Sequence, residues 1–267
     1  MFEFVDDSFI RENSFENILS IQVSLNGFSF CIRKGDDNKL LYFKQHQIKI
    51  SSDHLFVRRL EDWCKEEELL QLPYREKHVF YVAYRFSLIP EELESEVLKS
   101  DVRLLLMTAT EEEEYAENWM EEIKAKLVFM IPGQLNHVLH ECFGDYRLKH
   151  VVQKLASIPA PEFSESNILL FFDEKELIVL AKQKGQLSFC NTFKINHVND
   201  AIYYILTIAK QLKIDIKNGT LQITGKSDFL EGTAVNLSQH FKSVEQALQT
   251  SDEKIGEFNI SESICLF

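Results

Sequence analysis

The feature that most constrains the fold of this chain is a repeated pattern of predicted elements. Residues 18–43 and residues 168–193 each read as three short β-strands joined by polar turns. Each of these meanders is followed by a segment in which apolar residues recur at helical spacing, and then by one more strand. The two ranges are offset by 150 positions, as are Gly35 and Gly185. We therefore predict an internal duplication that produces two similar lobes.

The first copy shows the alternation of apolar and polar residues that is typical of half-buried strands. The dipeptide Asn26-Gly27 lies between its first two strands and is a strong signal for a tight hairpin turn. Leu55, Leu60 and Cys64 recur at helical spacing after a serine that can cap a helix. The predicted elements are strands at 18–24, 28–33 and 40–43, a helix that begins at Ser51 or Ser52, and a strand at 78–84.

The second copy repeats this order with different turn residues. Asp173-Glu174-Lys175 and Lys184-Gly185 are the predicted turns of its meander. The predicted elements are strands at 168–172, 177–181 and 187–193, a helix capped by Asn199 or Asp200, and a strand at 221–224 that ends at Gly225.

Additional elements are predicted between the two copies. They are a short acidic helix opened by Pro90, a strand at 102–107, a helix that begins within 111–117, a strand at 126–131, a helix at 134–142, a strand at 146–150 and a short helix at 151–155. The segment 157–161 contains two prolines and is the best linker. We place the lobe boundary there, with a first lobe at 1–160 that carries an inserted segment around 110–160, and a second lobe at 161–267.

The duplicated pattern resembles the architecture of the actin, hexokinase and Hsp70 superfamily. Three segments carry a closer resemblance to a bacterial family of unknown function with an actin-like ATPase fold: 18–43, the run from Phe143-Gly144-Asp145-Tyr146-Arg147 to His150, and 167–225. The layout is also similar to that of the actin-like platform proteins of pilus assembly and type II secretion. The resemblance implies a mixed α/β (α+β) fold, ribonuclease H-like, with two lobes that each contain a mixed five-stranded sheet and flanking helices.

The same resemblance implies where a nucleotide would bind. Active members of the superfamily hold ATP and Mg²⁺ between the lobes, with one phosphate at the first hairpin of each meander. Such hairpins combine an acidic residue, a glycine and Ser or Thr, and the adenosine loop usually carries paired glycines. In this chain the first hairpin lacks an acid, the second lacks Gly, Ser and Thr, and the adenosine loop has a single glycine. The positions that remain are Ser24, Asn26, Gly27, Asp173, Glu174 and Gly225.

Glycine content independently argues against other phosphate loops. The chain has nine glycines among 267 residues, and no two are closer than six positions. A Walker loop, a dinucleotide fingerprint or a kinase glycine loop needs at least two nearby glycines, so that backbone N–H groups can approach the anion. We therefore name no catalytic residue and no bound cofactor.

Charge and cysteine content restrict the partners. The net charge is −13 and both predicted lobes are acidic, which disfavours nucleic acid binding. The longest nearly apolar stretch, 201–209, is far shorter than the roughly 20 residues of a membrane-spanning helix. The N-terminus is acidic where a signal peptide would be basic. Five cysteines with no C-x-x-C spacing favour a reducing compartment, so we expect a cytoplasmic protein without membrane insertion.

Two weaker motifs are candidate sites. His137, His140 and Glu141 share a predicted helix, but their spacing is not that of a zinc motif, and exposed side chains are the simpler interpretation. Asp173 and Asp200 faintly resemble the carboxylate layout of a ribonuclease H site, although a turn and a helix cap explain both. We thus predict no metal ligands.

The function predicted from sequence is that of a non-catalytic cytoplasmic scaffold that binds a protein partner and has degenerate phosphate loops. The alternative is a divergent nucleotide-binding ATPase or sugar-kinase-like enzyme that uses ATP and Mg²⁺. Fold alone does not decide between them.

Overall fold

The computed structural model describes residues 2–48, 50, 52–96, 99–106, 113–160 and 166–247. The first part of the chain contains nine strands and four α-helices among these residues. They are β1 (Phe2–Val5), β2 (Asn17–Ser24), β3 (Gly27–Lys34), β4 (Leu40–Gln47), α1 (Asp53–Glu66), β5 (Glu76–Tyr81), β6 (Phe86–Pro90), α2 (Lys99–Leu105), β7 (Glu114–Met120), β8 (Ala125–Ile131), α3 (Leu135–Phe143), β9 (Arg147–His150) and α4 (Val151–Ser157). Short 3₁₀ helices lie at 11–16, 68–71, 91–93 and 121–123.

The second part of the chain continues the same alternation. Its described elements are β10 (Ser166–Asp173), β11 (Glu176–Gln183), β12 (Gln186–Lys194), α5 (Val198–Gln211), β13 (Thr220–Lys226), α6 (Leu230–Leu237) and β14 (Ser243–Gln246).

Two mixed sheets share one strand order. The second sheet is ordered β12-β11-β10-β13-β14, and five strands of the first follow the matching order β4-β3-β2-β5-β9. In each, the three meander strands are antiparallel, and the last two strands run parallel to the first meander strand. We call the part of the chain from β1 to α4 the first unit and the part from β10 to β14 the second unit. The predicted five-stranded sheet is thus correct for the second unit. The first gains a sixth strand, β1, because Phe2 and Phe4 pack beside Phe43 at the sheet edge.

A third, three-stranded antiparallel sheet, ordered β6-β8-β7, comes from the chain between β5 and β9 of the first sheet. Two predictions fail here. The segment 102–107 was expected to be a strand, but α2 covers most of it, because Val102 and Leu106 at helical spacing are the two residues buried against β8. The segment 111–117 was expected to begin a helix, whereas its described part enters β7, since pairing with β8 outweighs the acidic composition. Residues 107–112 lie outside the described residues.

The helix that follows the second meander also begins differently from the prediction. His197 caps α5 by accepting the Asn199 N–H at 3.1 Å, rather than Asn199 or Asp200 acting as the cap. Asp200 completes a capping box, because its carboxylate accepts the N–H groups of Asn196 and His197. The helix after the first meander begins as predicted, with Ser52 as its cap.

The apolar core ties the two sheets together. Side chains of the second sheet divide by strand alternation into two faces. Ile168 and Leu170 pack under α5 and α6, whereas Leu169 and Phe171 join the large cluster that fills the first unit. Helix α4 contributes to the same large cluster. The predicted boundary at 160/161 stays a prediction, since Pro161 lies outside the described residues.

Gly225 shows how closely the parallel strands approach. It lies in β13 opposite Phe172 of β10 and has φ +93°. A Cβ atom built there would lie 2.0 Å from the carbonyl oxygen of Phe172. Only glycine fits such a conformation and such a contact.

We predict that Gly225→Ala lowers the free energy of unfolding by more than about 4 kcal/mol, because backbone strain and a clash with backbone add together. The matched control is Gly185→Ala, at φ +77° with no atom within 4 Å of the added Cβ. That variant should lose only about 1–2 kcal/mol from strain. Equal losses in urea unfolding of the two variants would contradict this account.

Candidate functional site

The turns of the two meanders meet in space, and their side chains hydrogen-bond directly. The Asn26 side-chain amide, from the β2–β3 turn, donates to Asp173 Oδ1 at 2.8 Å. The Tyr84 hydroxyl, just beyond β5, donates to Asp173 Oδ2 at 2.6 Å. Asn26 Nδ2 and the Tyr84 hydroxyl are 3.3 Å apart. We call these three residues the hairpin network.

The first hairpin is held by its own backbone and by the chain that follows β4. Leu25 and Asn26 form the turn, one position earlier than the expected Asn26-Gly27, and Gly27 begins β3 with φ +144°. A Cβ on Gly27 would lie 2.5 Å from the carbonyl oxygen of His46, so the glycine allows β4 to approach. The hydroxyl of the buried Ser24 accepts the Asn26 N–H at 3.1 Å.

The second hairpin is braced by the segment after β13. Glu174 lies in the left-handed region with φ +56°, and its N–H donates to the Lys226 carbonyl at 2.7 Å. The Ser227 hydroxyl donates to the Glu174 carbonyl at 2.6 Å. The segment that begins at Gly225, expected from the resemblance to be an adenosine loop, therefore supports the turn that carries Asp173.

Burial dominates the electrostatics of the hairpin network. It raises the pKa of the Asp173 carboxyl, because water is excluded from the charge, and the nearby Glu174 raises it further. Hydrogen bonds from Tyr84, Asn26 and Ser24 oppose this shift by stabilising the carboxylate. The pKa of the Tyr84 hydroxyl is raised for the same reasons, burial first and the Asp173 charge second. Tyr84 therefore stays a neutral donor.

A cavity of about 280 Å³ adjoins the hairpin network. Its lining is largely polar and includes Gln22, Ser29, Gln45, His46 and Lys226. Such a space can admit water or a small polar ligand.

The structure brings Ser24, Asn26 and Asp173 together. Sequence reasoning missed Tyr84. The predicted topology could have indicated it. Strand β5 runs parallel to β2, so Tyr84, just beyond β5, lies at the same edge of the sheet as the turn that follows β2. Asp200, by contrast, is used in the cap of α5.

The histidine motif does not form a site in the described part of the chain. His137, His140 and Glu141 are exposed on α3. Among the described residues, no group of three or more His, Cys, Asp or Glu side chains is placed to hold a metal ion.

Comparison with known proteins identifies the family of this chain. Residues 6–244 match a family described as "Protein of unknown function (DUF3822)". The chain belongs to the DUF3822 family. No match is found among curated proteins. Within the described ranges, no helix of this DUF3822 protein is long and apolar enough to cross a membrane.

Solved structures identify the fold. A Bacteroides thetaiotaomicron protein with an actin-like ATPase fold and unknown function superposes with a TM-score of 0.80, at 21% identity, covering 97% of this chain and 98% of that one. A PilM-PilN type IV pilus biogenesis complex contains a chain with a TM-score of 0.56, at 12% identity, covering 95% and 96%. The predicted actin-like fold and the resemblance to a family of unknown function are confirmed for this DUF3822 protein.

We predict that the stability difference between the wild type and Asp173→Asn depends on pH. Because the folded pKa of Asp173 is raised, the folded chain binds a proton there more tightly than the unfolded chain, whose value is about 3.9. The wild type should gain stability relative to the variant as the pH falls through the raised folded pKa of Asp173 toward the unfolded value.

Urea unfolding of both proteins across this range is the measurement. The control Tyr84→Phe keeps the carboxylate and loses one donor, so it should retain the pH dependence while losing about 1–3 kcal/mol near neutral pH. A difference between the wild type and Asp173→Asn that stays constant with pH, or that changes in the opposite direction, would show that burial does not dominate.

Proposed function

We propose that this protein is a non-catalytic member of the actin-like fold that acts by binding a protein partner. The observation that carries the proposal is the hairpin network. Where an active relative would hold phosphate groups between two turns, Asn26 and Tyr84 donate directly to Asp173.

The hydrogen bonds of the two turns support this proposal. Phosphate binding at a turn depends on backbone N–H groups that point at the anion. The Asn26 N–H is taken by the Ser24 hydroxyl, and the Glu174 N–H by the Lys226 carbonyl. A phosphate would have to displace these bonds as well as those of the hairpin network.

The charge of the second turn points the same way. Asp173 and Glu174 place two carboxyl groups where a phosphate would approach, and like charges a few ångströms apart repel strongly in a partly buried site. A divalent cation would be needed to offset this repulsion. The proposal is therefore that the protein works without ATP and Mg²⁺.

A protein is the partner class we propose. The PilM-PilN structure is, by its description, a complex of two proteins, and its matching chain has the fold of this one along nearly the whole length. The acidic charge of −13 disfavours nucleic acid.

The shared strand order of the two sheets supports an internal duplication as the origin of the fold. A cytoplasmic location fits five cysteines that lack C-x-x-C spacing.

The second candidate is nucleotide binding by a divergent ATPase or sugar-kinase-like enzyme. The cavity beside the hairpin network favours it, because Lys226 and His46 contribute cationic or hydrogen-bonding groups to a polar space of about 280 Å³. This candidate requires the hairpin network to open, since both oxygens of Asp173 already accept hydrogen bonds.

We predict that millimolar Mg-ATP, Mg-ADP or Mg-GTP does not raise the melting temperature, and that purified protein does not release phosphate from ATP. A nucleotide present at 100 times its Kd would stabilise the fold by about 2.7 kcal/mol. For a chain of this size that corresponds to a rise of at least about 5 °C, which thermal-shift measurements resolve easily. A saturable rise together with ATP turnover that disappears in Asp173→Ala would establish the second candidate instead.

We also predict that partner binding is independent of nucleotide. A tagged full-length chain and its Asp173→Asn variant should elute with the same partner protein in size-exclusion chromatography of native complexes, with or without Mg-ATP. The variant is suitable because an asparagine can keep the size and one acceptor of the aspartate. A complex that forms or dissociates only with hydrolysable ATP would overturn the proposal.

A further inference from the structure

A large groove lies between helices of the first unit, away from the hairpin network. Its volume is about 1280 Å³, and α1 and α3 form much of its wall. Charged side chains such as Glu61, Lys65 and Glu141 lie along it, and two cysteines, Cys64 and Cys142, line it as well.

The two cysteines come from different helices that pack against each other. Cys64 is near the end of α1 and Cys142 near the end of α3, and these helices are in direct contact. Both thiols are free, both line the same groove, and the pKa of each is shifted by the other. Cys64 has no exposed surface and belongs to the apolar core, whereas Cys142 is partly exposed at the groove.

We propose that Cys142 and Cys64 form a reversible intramolecular disulfide when the protein meets a peroxide, so that the α1–α3 groove carries a redox-sensitive modification site. The proposal is independent of whether the hairpins bind nucleotide. Its basis is the pairing of one groove-facing thiol with one buried thiol on adjoining helices.

The surroundings assign the two roles. The hydrogen bond from Cys64 is the main cause that lowers the pKa of the Cys142 thiol, and the nearby Lys65 lowers it further, while burial, Glu61 and Glu141 oppose the shift. The Cys142 hydrogen bond and burial raise the pKa of Cys64. Thiolate character and access make Cys142 the nucleophile, and Cys64 is the resolving thiol.

The chemistry balances with hydrogen peroxide as the oxidant. The Cys142 thiolate attacks one peroxide oxygen, an S–O bond forms, the O–O bond breaks, and the hydroxide that leaves takes up a proton to become water. The Cys64 sulfur then attacks the sulfenic sulfur of Cys142, an S–S bond forms, and the S–O bond breaks. The hydroxyl leaves as water with the Cys64 proton. Two thiols and one peroxide thus give one disulfide and two waters.

The other described cysteines offer a contrast. Cys31 is completely buried in β3, an interior strand of the first sheet, and burial raises the pKa of the Cys190 thiol in β12. Neither lines the groove. Oxidation should therefore be selective for the groove pair.

The test is mass spectrometry of the purified full-length chain after treatment with one equivalent of hydrogen peroxide. We expect the intact mass to lose two hydrogens and a tryptic digest to join residues 60–65 to residues 127–147, which contain the two cysteines. Dithiothreitol should restore the original mass. Cys190→Ser is the matched control and should form the same link.

Single variants separate the roles. In Cys64→Ser the resolving thiol is lost while a hydroxyl donor stays beside Cys142, so Cys142 should accumulate as a sulfenic acid that dimedone traps. In Cys142→Ser the remaining Cys64 should resist peroxide. Melting temperatures of the untreated variants, compared with the wild type, show that each is folded. Linkage through Cys31 or Cys190, oxidation without any intramolecular link, or dimedone labelling of Cys64 before Cys142 would overturn the proposal.

Discussion

The packing of the second sheet against the core of the first unit is the constraint on which the candidate site depends. Leu169, Phe171, Ile178 and Leu180 all join that core. Each such side chain contributes about 1.5–3 kcal/mol when fully buried, whereas a net hydrogen bond contributes about 1 kcal/mol. Apolar burial therefore sets where the second hairpin lies, and the hairpin network only selects which polar groups meet there. Asp173 is two residues beyond Phe171, so it follows the sheet into contact with the first hairpin.

Once the hairpins meet, the hydrogen bonds between them bear on the proposed function more directly than glycine content does. Both Gly27 and Gly225 are required by close approach of backbone, as their contacts with His46 and Phe172 show. Although glycine is scarce in this chain, it is present at these two positions, where a side chain would clash with neighbouring backbone. In the function that we propose, phosphate binding is opposed because the Asn26 and Glu174 N–H groups and the Asp173 carboxylate already have partners within the protein.

Both meanders, the helices that follow them and the parallel strands after those helices were predictable, because strand alternation and helical spacing are local patterns that burial then reinforces. The errors lie where local composition and tertiary pairing disagree. The acidic residues before Tyr115 favour a helix N-terminus in isolation, yet the segment from Glu114 pairs with β8 and forms a strand. The run from Val102 is apolar enough for a strand, but Val102 and Leu106 are the buried residues among those of the run whose burial is described, and that spacing is helical.

The sequence by itself determined the repeated order of strands and helices, and the two polar turns to within one position, since both follow from periodicity and turn chemistry along the chain. The actin-like fold class came from the resemblance of that order to a known architecture, and the structural comparison confirms it. Only the tertiary structure decided that Tyr84 completes the hairpin network and that Cys64 meets Cys142. These pairs are 89 and 78 positions apart (Tyr84 to Asp173, and Cys64 to Cys142). Contacts at such distances depend on how sheets and helices pack, which no local pattern specifies.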